Sequence, residues 1–145
     1  MTVLVHRPIT SKKGSKAAWI RGYRSGLENI IADQIANADL EVIYEKEKIA
    51  FEYPPRKTTY TPDFKLPKKG GFFYVETKGR WLPSDRKKHL IIKEQHPELD
   101  IRFVFSNANA KIYKGSKTSY ADFCSRHGFV FSHKTIPEAW LLEGK

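Results

Sequence analysis

A chain of 145 residues, 40% hydrophobic and 29% charged, has the size and balance of one soluble globular domain with a buried core. Lys and Arg number 26 against 16 Asp and Glu, and the net charge of +10 favours a polyanionic partner, nucleic acid first, over a neutral one. No apolar run approaches the ~20 residues of a membrane span, the basic residues do not gather on one amphipathic face, and the start lacks signal-peptide order. No membrane partner is therefore expected, and the single Cys124, which cannot form an internal disulfide, points to a reducing cytoplasm.

Residues 1–22 hold Lys12, Lys13, Lys16 and Arg21 among Gly and Ser and read as a flexible basic arm. Ser25 is a candidate N-cap, and Leu27, Ile30, Ile31, Gln34, Ile35 and Ala38 then recur at helical spacing, predicting a helix to about Asn37. EVIYEKEKIAFEY, residues 41–53, reads as an extended strand, followed by Pro54-Pro55 as a turn or stiff connector. TTYTPDFKL and GFFYVETKG predict two strands about a Pro-Lys-Lys-Gly-Gly turn region. LPSDRKKHLIIKEQHPELD carries a second helix, capped by Ser84 or Asp85 and stopped at His96-Pro97. IRFVFS, residues 101–106, reads as a central strand, and SKTSYADFCSRHG as a third helix closed by Gly128. The tail FVFSHKTIPEAWLLEGK adds a short strand and one helical turn. The expected class is α/β, a mixed sheet flanked by helices.

The chemistry centres on the second pair of strands. In GFFYVETK, Phe72, Tyr74, Glu76 and Lys78 share one face, and Phe73, Val75 and Thr77 the other. Folding about Lys69-Gly70 sets Asp63 opposite Glu76. Opposed like charges destabilise a sheet and push one carboxyl pKa upward, so a positive group should lie between them. Lys78 supplies one charge; a divalent cation, Mg²⁺ or Mn²⁺ on oxygen ligands, supplies two. Such an ion can orient a water and neutralise a phosphate oxygen. The bland alternative is a solvated hairpin whose charges have no joint role.

Pro62-Asp63, twelve residues, then Glu76-Thr77-Lys78 resembles the PD-(D/E)xK nuclease motif. YRSGLE, YTPDF, ETKG, DRKKHLIIKEQHPELDIR and KIYKGSKTSYADFC together resemble the bacteriophage endonuclease I family, resolvases of four-way (Holliday) DNA junctions, over roughly residues 23–140. The resemblance implies a restriction-endonuclease-like nuclease fold in a domain-swapped homodimer, with residues 23–145 as the nuclease domain and 45–57 as the extended connector. It implies Glu28, Asp63, Glu76 and Lys78 as catalytic residues. Two Mg²⁺ or Mn²⁺ ions per site would be held by Asp63 as a bridge, by Glu76 with the Thr77 carbonyl, and by Glu28. It further implies shared active sites, a branched double-stranded DNA substrate and action in the cytoplasm of an infected bacterial host. The chain departs from the pattern in a longer KKGG turn, a longer N-terminal arm and the lack of the basic tail that some members carry, which is expected to weaken DNA affinity.

Read without the resemblance, Glu28 is simply an acid favouring a helix N-terminus. Arg24, Lys12, Lys13, Lys16 and Arg21 are candidate phosphate contacts ahead of that helix, and Arg86, Lys87 and Lys88 at the second helix are candidates against a solvated-face alternative. No histidine pair and no second thiol has zinc-ligand spacing, and Cys124 reads as a small buried hydrophobe. A sequence-specific restriction-type nuclease and a non-catalytic junction-binding protein are the other functional readings.

Overall fold

Ser25 opens the first helix as its spacing predicts: its hydroxyl accepts from the Glu28 amide, and α1 runs Gly26–Asn37. The computed structural model describes residues 22–53 and 56–145. Lys12, Lys13, Lys16 and Arg21 of the expected arm, and Pro54-Pro55, lie outside the described residues. After α1 come β1 (Ile43–Tyr44), β2 (Ile49–Tyr53), β3 (Arg56–Tyr60), β4 (Phe64–Lys68), β5 (Gly71–Lys78), α2 (Pro83–Gln95), β6 (Ile101–Phe105), α3 (Tyr120–His127), β7 (Val130–His133) and α4 (Glu138–Leu141).

Five strands form one mixed sheet in the order β1-β4-β5-β6-β7, and β2 and β3 form a separate two-stranded sheet. The β4–β5 hairpin turns at Lys69-Gly70, with Gly70 at φ +83°, and pairs Lys68 with Gly71 and Phe64 with Val75. That is the register expected from the symmetric fold, and it carries on to Asp63 beside Glu76. The added Lys and Gly residues are taken up as extra strand and turn, so the pairing at the site end is undisturbed. β5, β6 and β7 run parallel, which makes β6 an interior strand, as its apolar run predicts.

Two expected strands are broken. Residues 41–53 split at Glu45, whose φ of +47° cannot continue a strand, so β1 joins the large sheet and β2 the small one. TTYTPDFKL splits after Tyr60, where Pro62 lacks the amide a ladder needs, so β3 and β4 belong to different sheets. In the segment expected as an extended connector, 45–57, and just beyond it, β2 and β3 pair antiparallel from Ile49↔Tyr60 to Tyr53↔Arg56. The second helix also begins earlier than expected. Pro83 takes the first helical position, Leu82 is the N-cap residue, and Asp85 accepts from the Leu82 amide at 3.3 Å.

One face of the large sheet packs Phe64, Leu66, Phe73, Val75 and Val104 against Tyr23, Ile31 and Ile35 of the α1 region and Ile136 and Leu141 of the tail. On the other face Phe103 and Phe105 pack with Trp81, Tyr120, Cys124 and Phe129. Burial pushes the Cys124 thiol up to about 12, in keeping with an inert core residue. Phe51, Tyr60 and Ile92 form a third cluster joining the small sheet to α2. Among the described residues no helix is long and apolar enough to cross a membrane.

Candidate active site

Three elements converge where β4 begins and β5 ends. Asp63 stands one residue before β4, with Pro62 ahead of it. Glu76, Thr77 and Lys78 are the last three residues of β5, and Glu28 lies in the first turn of α1. Asp63, Glu76 and Glu28 are each about 5–6% exposed, far more buried than carboxylates usually are.

The Thr77 amide and hydroxyl both donate to Asp63 Oδ2, each at 2.8 Å, which fixes the Asp63 carboxylate in its plane. Burial pushes the Asp63 pKa well above the ordinary range, and the neighbouring Glu76 and Glu28 push it in the same direction against the Thr77 bonds. Glu76 is held differently. Tyr60 donates to Glu76 Oε1 at 3.0 Å and the Asp63 amide approaches the same oxygen at 3.3 Å, while Lys78 Nζ lies 3.5 Å and His89 Nε2 3.8 Å from Oε2. Burial works to raise its pKa, but His89, Lys78 and Tyr60 outweigh burial and hold it below the ordinary range. The two adjacent carboxyls are thus shifted in opposite directions, Asp63 upward and Glu76 downward.

Glu28 is oriented at both oxygens: Ser25 Oγ donates to Oε1 at 3.0 Å, and the Tyr44 hydroxyl donates to Oε2. Burial, then the Glu28 bond, raises the Tyr44 pKa, so the phenol keeps the proton it donates. Lys78 is also 3.9 Å from Asp85 Oδ1, which places its amine between β5 and α2.

Glu28, Asp63 and Glu45 present ligand oxygens all within 4.8 Å of one another. Sequence reasoning put Glu45 in a connector and so missed it. The signal was faint: an acidic residue interrupting the alternation of 41–53, with no Gly or Pro to announce the bend. The turn at Glu45 delivers its side chain, and its amide donates to the Asp63 carbonyl at 2.9 Å. Three oxygen donors around a buried acid whose ionisation is opposed suit a hard divalent cation. Glu76 does not belong to that trio; it joins the site through the Asp63 amide and Lys78.

The basic candidates divide. Arg24 ion-pairs with Glu45 and lies 3.7 Å from Asp63 Oδ1, at the mouth of the site. Lys87 is exposed, and Lys88 lies over the Tyr60 ring on an open groove shared with Arg56, Thr58, Ser84 and Asp85. Arg86 departs from the expectation of a phosphate contact: it is 8% exposed and donates to the carbonyls of Trp81 and Ile112 at 2.6 and 3.3 Å. It faces inward on α2 and ties two loops together.

A buried carboxylate set at a strand end, joined by a lysine and an acid from a flanking helix, gathers the groups that metal-assisted hydrolysis uses. The chain belongs to the phage endonuclease I family, whose model matches residues 9–145. It is 51% identical over 126 residues to Endonuclease I of Escherichia phage T7, covering 87% of this chain and 83% of that protein. To Endodeoxyribonuclease 1 of Enterobacteria phage T3 it is 50% identical over 125 residues, covering 86% and 80%.

Proposed function

We propose that this protein is a phage DNA endonuclease that resolves four-way and other branched DNA by divalent-metal-dependent phosphodiester hydrolysis, working as a swapped homodimer with composite active sites. Family membership and the names of the two relatives support DNA cleavage. The observation that carries the reading of the site is the convergence of Glu28, Glu45 and Asp63 within 4.8 Å beside Glu76 and Lys78. Mg²⁺ or Mn²⁺, two per site, would be held by Asp63, Glu28 and Glu45, with Glu76 and the Thr77 carbonyl as further donors. When bound, the ions supply positive charge to a phosphate oxygen and acidity to water.

The remaining chemistry belongs to the chain. Thr77 keeps Asp63 in the orientation that faces Glu28 and Glu45. Ser25 and Tyr44 hold Glu28 by both oxygens, so little reorganisation is needed at the moment of reaction. Tyr60 and His89 keep Glu76 fixed and ionised at neutral pH. Lys78, partly exposed beside Glu76, is placed to hold a phosphate oxygen or assist the proton transfer that makes water a nucleophile. Lys87 and Lys88, the open groove on α2 and the net charge of +10 supply backbone contacts, which position DNA without reading its bases.

The Pro54-Pro55 pair between β2 and β3 is the sequence feature that favours the swap. The β2–β3 register leaves two residues, Pro54 and Pro55, to link Tyr53 to Arg56. Two-residue hairpin links favour positive φ at their first residue, and proline is locked near −65°. Two prolines in sequence thus disfavour the positive φ of a tight hairpin, and exchange would let β2 of one chain pair with β3 of another in the same register. Glu28 and Glu45 precede the link and Asp63, Glu76 and Lys78 follow it, so each site would draw on both chains.

One assay tests the function. A four-way junction and a linear duplex of the same sequence are incubated with Mg²⁺ and either wild type or Asp63→Ala. Junction-selective cleavage by wild type, lost in the variant with binding retained, is expected. Site-specific cleavage of the linear duplex would favour a restriction-type nuclease, and binding without cleavage a junction-binding protein.

A further inference from the structure

Arg24 is one residue ahead of the Ser25 cap, and its guanidinium touches two of the three clustered acids: it is ion-paired with Glu45 and 3.7 Å from Asp63. An organic cation thus rests against the carboxylates that suit a divalent ion. The two cations compete, because each gains from the same negative charge and repels the other. Their surroundings differ. The Asp63 side chain is 7% exposed and pinned by Thr77, whereas the Arg24 side chain is 59% exposed. The Arg24 amide is anchored, donating to the Tyr44 hydroxyl at 3.3 Å, so the side chain can swing outward while its backbone stays in place. Outward from this site is where a DNA phosphate would approach, and arginine pairs with phosphate at least as well as with carboxylate.

We propose that Arg24 is an exchangeable internal counter-cation: it neutralises Glu45 and Asp63 until metal and DNA arrive, and is then handed over to a DNA phosphate. The proposal rests on the metal-dependent nuclease reading above. It makes metal and DNA binding mutually cooperative, since a phosphate that draws Arg24 off the acids frees them for the ion, and the ion in turn releases Arg24 for the phosphate.

The test titrates Ca²⁺, in place of Mg²⁺, into the full-length protein by calorimetry, alone and with a saturating four-way DNA junction. Wild type is compared with Arg24→Gln, with Arg24→Lys, and with Arg80→Gln, which removes the same charge from a residue with no carboxylate contact among those described. Without DNA, Arg24→Gln should bind Ca²⁺ about tenfold more tightly than wild type, and Arg80→Gln within about twofold. The junction should tighten Ca²⁺ binding to wild type and Arg24→Lys by about tenfold, and to Arg24→Gln by no more than about threefold. Equal Ca²⁺ affinities in wild type and Arg24→Gln, or an equal gain from the junction, would overturn the proposal. If Asp63→Asn abolishes Ca²⁺ binding while Arg24→Gln leaves it unchanged, the metal centre stands and the counter-cation role falls. If neither wild type nor Arg24→Gln binds Ca²⁺, both fall.

Discussion

Asp63 concentrates the electrostatic cost of this site. Its raised pKa means that the folded, metal-free protein holds the proton more tightly than the unfolded chain does. The sign follows: this contribution to stability is fully present below the ordinary aspartate range and is lost as pH rises through the raised value. Asp63→Asn cannot ionise, so in chelator it should be more stable than wild type at neutral and higher pH, by about 1–2 kcal/mol. The difference should shrink as pH falls toward 4, and urea unfolding at several pH values measures it. Glu76 has the opposite sign: its stabilisation is present above the ordinary glutamate range and is lost as pH falls through the lowered value. The pairing of Asp63 with Glu76 was legible because strand alternation and a central Gly turn suffice to set it. Glu28 was not separable by pattern from an ordinary first-turn acid, and only the resemblance singled it out. Glu45 was hidden because its placement depends on a positive φ at a residue type that gives no warning of one. Arg86 misled because a basic run at a helix start does not say which of its members turns inward.

The elements were read well wherever a local signal ends them. Ser25 and Gly128 terminate helices by side-chain capping and by a left-handed residue, and both lie where the sequence places them. The division of 41–60 between two sheets was not legible, because the charged run Glu45–Lys48 interrupts the alternation without a Gly or Pro to mark a change of backbone direction. The β2–β3 link gives this scale its sharpest prediction. Replacing Pro54-Pro55 by Asn-Gly supplies the residues a closed two-residue hairpin favours. Wild type should sediment as a dimer and the Asn-Gly variant should shift toward monomer; unchanged dimerisation would count against exchange through this link. A second element-scale device is Arg102 on β6, which bonds Asp100 and Glu143 and lies 3.8 Å from the Phe73 ring centroid. It joins the strand to the tail and lowers the pKa of both acids. Because its charge is largely buried between two carboxylates, Arg102→Ala should cost about 3 kcal/mol in denaturant unfolding without moving the active-site acids.

At the scale of the whole molecule, the proposed site draws on residues from both sides of Pro54-Pro55 in the sequence. The part before it contributes Glu28 and Glu45 on α1 and the bend after β1. The part after it contributes Asp63, Glu76 and Lys78 on the central hairpin of the sheet. In a swapped dimer these parts come from different chains, and two such centres related by a twofold axis suit paired cuts across a branched substrate. The most direct measurement mixes Glu28→Ala with Glu76→Ala, each inactive as a homodimer, and isolates differentially tagged heterodimers for cleavage of a four-way junction in Mg²⁺. If the sites are shared between chains, one site collects both lesions and the other is intact, so the heterodimer should cut one strand per junction without the paired second cut. Confirmed heterodimers that cut neither strand would show that each chain builds its site alone, and would contradict the composite centre.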